Sequence, residues 1–311
     1  MIRCSSWARS VQEHPIGTAA EAQLWVALEQ PGPWGDRVLD DDTLAAGDRA
    51  GLASAAAVKG VRPVLIRRPS AGVREDTPPG RRLLVADTRP GRTRVVTAQL
   101  PDTDASALMS IDWAAVRNGA TDLPTALQAI TSDVRDDGGP VLLVCTNGRR
   151  DACCALLGRP VAAALHDQHG DAVWETTHLG GHRFAPTGLL LPWGYSYAYL
   201  DPHSGDDLLA AARAGRFVPE RLRGRSTWSR TGQAAEAAAR AVWQAADLAA
   251  VHSVQAVPAT SDSDGLVEVS HADGRRLSVH VRAVAGPARP EACGKAPVGL
   301  SSLHATVRPP S

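Results

Sequence analysis

The sequence predicts an α/β fold, and three observations carry that prediction. Val141-Leu-Leu-Val144 is a continuous apolar run of the length expected for a strand buried on both faces. A few residues on, Asp151 is a good N-cap for a helix that begins Ala-Cys-Cys-Ala-Leu-Leu. Earlier in the chain, β-prone runs at 24–30, 61–67, 82–88 and 93–99 enclose one Ala-rich helical stretch at about 43–57, and strands mixed with helices in this way build a layered sheet.

The elements follow in order. Leu24-Trp-Val-Ala-Leu-Glu-Gln30 is a strand stopped by Pro31-Gly32-Pro33-Trp34-Gly35, which continues neither helix nor sheet. The helix at 43–57 and the three β-prone runs after it give the order β, α, β, β, β, a small α/β lobe. Residues 101–122 are polar and turn-rich with Trp113 as anchor, and an amphipathic helix is predicted over about 124–136. Gly138-Gly139-Pro140 marks a lobe boundary, so the chain divides into 1–137, 138–226 and 227–311.

In the second part the strand at 141–144 delivers Cys145 at its carboxyl end, where α/β folds place their sites. Gly158 is expected to end the helix opened by Asp151, and Pro160 to start another running to about His166. Strands are expected at 172–177, 187–191 and 195–200, with Pro192-Trp193-Gly194 turning between the last two. Helices follow at 206–214 and 232–250. Two alternating segments, 265–270 and 276–284, flank Asp273-Gly274 as a hairpin. The tail after Pro290, which contains Cys293, is expected to be loosely ordered. No internal repeat is evident.

Composition narrows the function. The chain of 311 residues carries 33 basic and 33 acidic groups, so the excess cation that phosphate contacts require is missing and no nucleic-acid partner is expected. Only Lys59 and Lys295 are lysine, and with the high alanine content this reads as coding bias. The N-terminus has no apolar stretch fit for a signal peptide, and no run approaches the roughly 18 apolar residues of a membrane span. A cytoplasmic protein without a membrane partner is therefore expected. Disulfides are disfavoured there, so the five cysteines (Cys4, Cys145, Cys153, Cys154 and Cys293) are read as metal-binding, redox-active or buried.

Four metal-ligand side chains fall within 38 residues: Cys145 and Cys154 with eight residues between them, His178 and His182 with three. Gly180 and Gly181 lie inside the histidine pair and are poor helix formers, so the pair reads as a loop that turns both imidazoles toward one point. One thiol leaves a strand and the other sits at a helix N-terminus, where the macrodipole favours a thiolate. The bland reading stays open beside this one, since a cysteine closing a buried strand is commonly a small core residue. Trp174, Trp193 and the group Tyr195, Tyr197, Tyr199 either shield the site or simply pack.

Val144-Cys-Thr-Asn-Gly-Arg-Arg-Asp-Ala-Cys-Cys154 followed by His178-Leu-Gly-Gly-His-Arg-Phe-Ala-Pro-Thr187 resembles the sucrase/ferredoxin-like family. Gly17-Thr18-Ala19, Glu29 to Gly35, Arg221-Leu-Arg-Gly224 and Cys293-Gly-Lys295 look like its bacterial branch. The resemblance implies a thioredoxin-like [2Fe–2S] ferredoxin domain over 138–226, preceded by the smaller α/β lobe and followed by a helix plus β-hairpin extension. It also implies an electron-transfer protein whose cluster is held by Cys145, Cys154, His178 and His182. The doubled cysteine leaves Cys153 as the alternate ligand, and Asn147 stands where eukaryotic members typically have histidine. A separate redox partner such as a flavoprotein reductase is implied; the oligomeric state is not.

Three rival readings use the same residues or the family's label. Zinc is an ordinary guest for two cysteines and two histidines, in a structural or a catalytic site. A thioredoxin-like thiol oxidoreductase would use Cys153 or Cys154, although the usual Cys-x-x-Cys is missing. A true sucrase needs two carboxylates at a defined separation, and no glycosidase motif is recognisable, so a redox carrier is expected rather than a hydrolase.

Overall fold

A computed structural model describes residues 3–40, 42–69, 80–100, 104–136, 138–257 and 265–308. Residues 101–103 of the turn-rich stretch and the last three of the tail lie outside them. The chain begins α1 (Cys4–Ser10), β1 (Leu24–Glu29), α2 (Ala46–Ala56), β2 (Val61–Arg67), β3 (Arg81–Asp87), β4 (Arg94–Leu100), α3 (Trp113–Asn118), α4 (Leu123–Gln128) and β5 (Val134–Arg135). It continues β6 (Val141–Cys145), α5 (Ala152–His169), β7 (Val173–Thr176), β8 (Gly188–Leu191), β9 (Tyr195–Tyr197), α6 (Pro202–Arg213) and β10 (Leu222–Arg225). Last come α7 (Arg230–Trp243), β11 (Val251–Val257), β12 (Gly265–His271), β13 (Arg276–Ala285) and β14 (Ser301–Val307).

The fold is α/β, as its alternating pattern predicts. Ten strands form one mixed sheet in the order β10-β9-β8-β6-β7-β2-β1-β3-β4-β5, and the last four strands form an antiparallel sheet in chain order. β1 runs parallel to β2, and β6 parallel to β7. A parallel pair needs a long crossover, supplied here by α2 and α5. β3 and β8 lie antiparallel on the other sides of β1 and β6, with β4 and β9 outside them. One topological unit is thus built twice, as β2-β1-β3-β4 and β7-β6-β8-β9. The repeat lies in strand order and leaves no recognisable trace in the residues. The units meet where β2 and β7 pair antiparallel at Ile66↔Thr176 and Arg67↔Glu175.

Alternation along the strands decides what each face touches. Leu24, Val26 and Leu28 of β1 pack with Leu52, Leu108, Trp113 and Leu127 on one outer side. Leu142 and Val144 of β6 pack with Val161, Leu165, Leu208 and Leu209 on the other. Trp25, Val64 and Leu84 from the first unit share one buried cluster with Leu143, Trp174 and Leu189 from the second, so the sheet curls around it. The curl is tied off where the Trp25 indole donates to Ser226 Oγ at 3.1 Å and Arg225 donates to the Thr88 carbonyl at 3.0 Å. Among the described residues no helix is long and apolar enough to cross a membrane.

Several expected elements change. The helix expected over 124–136 ends at Gln128, because Leu123, Ala126 and Leu127 exhaust its buried face, and Val134 pairs instead with Ala98 of β4. The predicted break at Gly158 and Pro160 does not occur: α5 is one helix of 18 residues. A Cβ on Gly158 would lie 2.3 Å from the Cys145 carbonyl oxygen, so this glycine lets α5 lie against the end of β6. Pro160 leaves the Leu156 carbonyl without its helical donor, and Leu156 is 55% exposed, so water can serve it. The helix expected over 232–250 stops at Trp243, where Gln244 takes φ +52° and Arg240 gathers the carbonyls of Ala245, Asp247 and Leu248. The predicted hairpin is β12 and β13, the centre of a four-stranded sheet that covers α7 through Val267, Val269, Val279 and Val281. The tail read as loosely ordered supplies β14, paired with β13 from Ala285↔Ser301 to Val279↔Val307.

Candidate metal centre

Cys145 closes β6 and is buried. The turn after it is built by Asn147, whose Oδ1 accepts the Arg149 and Arg150 amides at 3.1 and 3.3 Å while its Nδ2 donates to the Gly35 carbonyl at 2.9 Å. Asp151 caps α5, accepting the Cys153 amide at 2.8 Å. Successive helical residues diverge by about 100°. Cys154 therefore turns into the buried cluster that holds Cys145 and Trp174, and Cys153 turns into another that holds Cys4. The histidines enter after β7, which is pinned where Thr177 Oγ1 accepts the Leu65 amide at 3.0 Å. Gly180 and Gly181 both adopt left-handed backbone, at φ +83° and +66°. The loop is clamped by buried Arg223, which donates to the Gly180 carbonyl at 3.0 Å, to Thr18 Oγ1 at 3.1 Å and to the Thr18 carbonyl.

The donor atoms of Cys145, Cys154 and His178 lie within 4.8 Å of one another. His182 stands outside that group, its ring 5.2 Å from that of His178 and tilted 33° to it. His178 Nδ1 and both ring nitrogens of His182 are buried with no hydrogen-bond partner. The Cys154 thiol donates to Cys145 and holds its pKa well below the usual thiol value, helped by His178 and by the Asn147 amide and opposed by burial. Cys154 is raised in turn by the hydrogen bond it gives and by burial. Burial lowers His182, which favours the neutral imidazole that a metal needs. Two cysteine sulfurs, one imidazole and a second imidazole close by that makes no hydrogen bond fit a metal ion.

Cys153, the alternate ligand, belongs elsewhere. Its sulfur lies 3.7 Å from that of Cys4 and 3.2 Å from that of Cys293, and the Cys293 and Cys4 sulfurs are 3.5 Å apart. Asp151 completes this second group within the same 4.8 Å limit. Donation from Cys4, reinforced by Ser5 and opposed by burial, pulls the Cys153 thiol down to about 5. Sequence reasoning missed the group because its three thiols stand more than a hundred residues apart along the chain, with no local spacing to read. The signal was only that Cys4 and Cys293 lacked any other role.

The aromatic residues separate in the same way. Trp174 packs with Cys145 and Cys154, whereas Tyr195 and Tyr197 sit in the cluster beneath α5 and α6. Tyr199 stands edge-on to Phe184 at 5.8 Å. A groove of about 450 Å³ opens beside His178, lined by Asp36, Arg37, Asp40, Arg62 and Arg150 among others. The first unit therefore forms one wall of the approach to the site, and Arg62 donates to the His178 carbonyl at 3.4 Å.

Fold and donors together define an α/β protein with a buried Cys/His group, able to hold a metal ion, at the end of a central strand. The family model described as sucrase/ferredoxin-like matches residues 15–224, and the chain belongs to that family. No curated protein and no solved structure matches it.

Proposed function

We propose that the chain is an electron carrier that holds a [2Fe–2S] cluster through Cys145, Cys154, His178 and His182 and exchanges electrons with a separate redox protein. The observation that carries this reading is the convergence of two cysteine sulfurs and one imidazole nitrogen within 4.8 Å, beside a second imidazole whose two nitrogens are buried without a hydrogen bond. An unsatisfied buried polar group costs about 1–3 kcal/mol, a cost that ligation removes. When bound, the cluster supplies one-electron chemistry at a higher potential than an all-cysteine ferredoxin, because imidazole replaces thiolate.

The chain's own residues do the rest. Leu143, Trp174 and Leu189 keep water from the cysteine side. Arg62 and Arg223 hold the histidine loop by its carbonyls, and the groove at His178 gives a partner such as a flavoprotein reductase a place to approach. The order β7-β6-β8-β9, with helices after β6 and β9, supports a thioredoxin-like arrangement for this unit. Five free thiols suit the reducing cytoplasm.

Anaerobic purification followed by iron, sulfide and zinc analysis tests the reading. A red-brown protein with iron and acid-labile sulfide in equal amounts, an EPR signal on reduction, and loss of both in Cys154→Ser is the expected result. A colourless protein holding zinc at these four residues would overturn it.

A further inference from the structure

The three remaining cysteines form a figure of their own. Cys4 begins α1, Cys153 lies in the first turn of α5, and Cys293 precedes β14, yet their sulfurs make a triangle with sides of 3.2, 3.5 and 3.7 Å. Zinc–sulfur bonds of about 2.3 Å in a tetrahedron put neighbouring sulfurs about 3.8 Å apart. The triangle therefore has the size of one face of a mononuclear site. A four-iron cube, whose cysteines each take a different corner, needs a wider spacing. A disulfide needs two sulfurs at about 2.04 Å and leaves the third unexplained.

Asp151 supplies the fourth corner. Its two carboxylate oxygens lie 3.8 and 3.7 Å from the Cys4 sulfur. They are aimed by the amides of Cys153 and Cys293, each donating at 2.8 Å, and a carboxylate oxygen that accepts one such bond keeps a lone pair for a metal. Ser5 Oγ donates to the Cys153 sulfur at 3.2 Å, the kind of outer support that orients a ligand. Three thiolates and one carboxylate around a divalent ion leave a net charge of −2, the same as a four-cysteine zinc site. The chain ends are brought here independently by Glu13, which accepts from Arg289 at 2.6 Å and from Arg183 at 2.9 Å.

We propose that Cys4, Cys153, Cys293 and Asp151 form a second metal site that takes a single zinc ion and ties both ends of the chain to the start of α5. The site is separate from the first one. Its donors come from three distant segments, so the ion acts as a staple, and it stands beside Cys154 and His182, whose Nε2 is 4.0 Å from Asp151 Oδ2.

Zinc and iron are measured in the anaerobically purified full chain and in the Cys293→Ser and Cys153→Ser/Cys293→Ser variants, and wild-type zinc is examined by X-ray absorption at its K edge. The expected result is one zinc per chain in the wild type with three sulfurs and one oxygen around it, at least a tenfold loss of zinc in both variants, and unchanged iron. The absorption spectrum needs no variant, so it decides the matter even if the double variant fails to fold. Zinc surrounded by two sulfurs and two nitrogens, zinc retained by both variants, no zinc in the wild type, or a disulfide between any two of the three thiols would overturn the proposal. Loss of zinc in the variants of a wild type that lacks iron would leave this site standing while the cluster reading fails.

Discussion

At the scale of single residues the histidine loop depends on two glycines in different situations. Both have left-handed backbone, which costs a side-chain-bearing residue about 1–2 kcal/mol. A Cβ on Gly180 would meet only Ala20, at 3.8 Å, whereas one on Gly181 would lie 2.3 Å from an Arg223 terminal nitrogen. Arg223 is buried and spends its donors on Gly180 and Thr18, so pushing it aside strands those acceptors at about 1–3 kcal/mol more. Gly180→Ala is thus expected to lower stability by about 1–2 kcal/mol and Gly181→Ala by about 2–5 kcal/mol in urea titrations. Equal effects would show that Arg223 does not clamp the loop. Sequence could read both glycines as a loop that turns the imidazoles, since glycine pairs carry that meaning locally. It could not read Arg223, which acts from more than forty residues away.

At the scale of elements, α5 against β6 sets the distance between Cys145 and Cys154. Gly158 makes the contact possible, because the atom that a side chain would meet is the Cys145 carbonyl oxygen, which cannot swing away. In an exposed helix Gly→Ala gains about 1 kcal/mol, but here overpacking of about 1–3 kcal/mol should exceed it. Gly158→Ala is therefore expected to destabilise the protein in chemical denaturation and, if the proposed cluster is bound, to reduce its iron content. A stabilised variant would refute the close approach. The same contact explains an error of sequence reading. Glycine followed closely by proline is a helix-end signal when only local propensity is weighed, and tertiary packing outweighs it in this place. Strands with strong alternation or continuous apolar runs, such as those at 61–67 and 141–145, were legible to within a residue or so. β14 was not, because its alternating apolar residues Leu303, Ala305 and Val307 are only partly buried and sit among turns.

At the scale of the molecule, the convergence of Cys145, Cys154 and His178 was legible because they fall in one unit of the repeated topology, while Cys4, Asp151, Cys153 and Cys293 needed the whole chain to be folded before they met. The C-terminal sheet packs on α7, and α7 is held to the large sheet by a buried polar network at Glu236. That carboxylate accepts from the Tyr195 hydroxyl at 2.7 Å, the Trp228 indole at 2.8 Å and Arg240 Nε at 3.0 Å, while Arg240 also donates to Tyr195 at 2.6 Å. Glu236 and Arg240 both lie out of solvent, so screening is weak, and removing one partner leaves the other charged and unpaired. Glu236→Leu is expected to cost about 3–5 kcal/mol and to speed amide exchange in β11 to β14 relative to β6 and β8. Adding Arg240→Met removes the stranded charge, and the double variant should recover a large part of the loss. If the double variant is no more stable than Glu236→Leu, the stranded Arg240 charge is not the source of the loss, and the bonds that Arg240 gives to the Ala245, Asp247 and Leu248 carbonyls account for it instead.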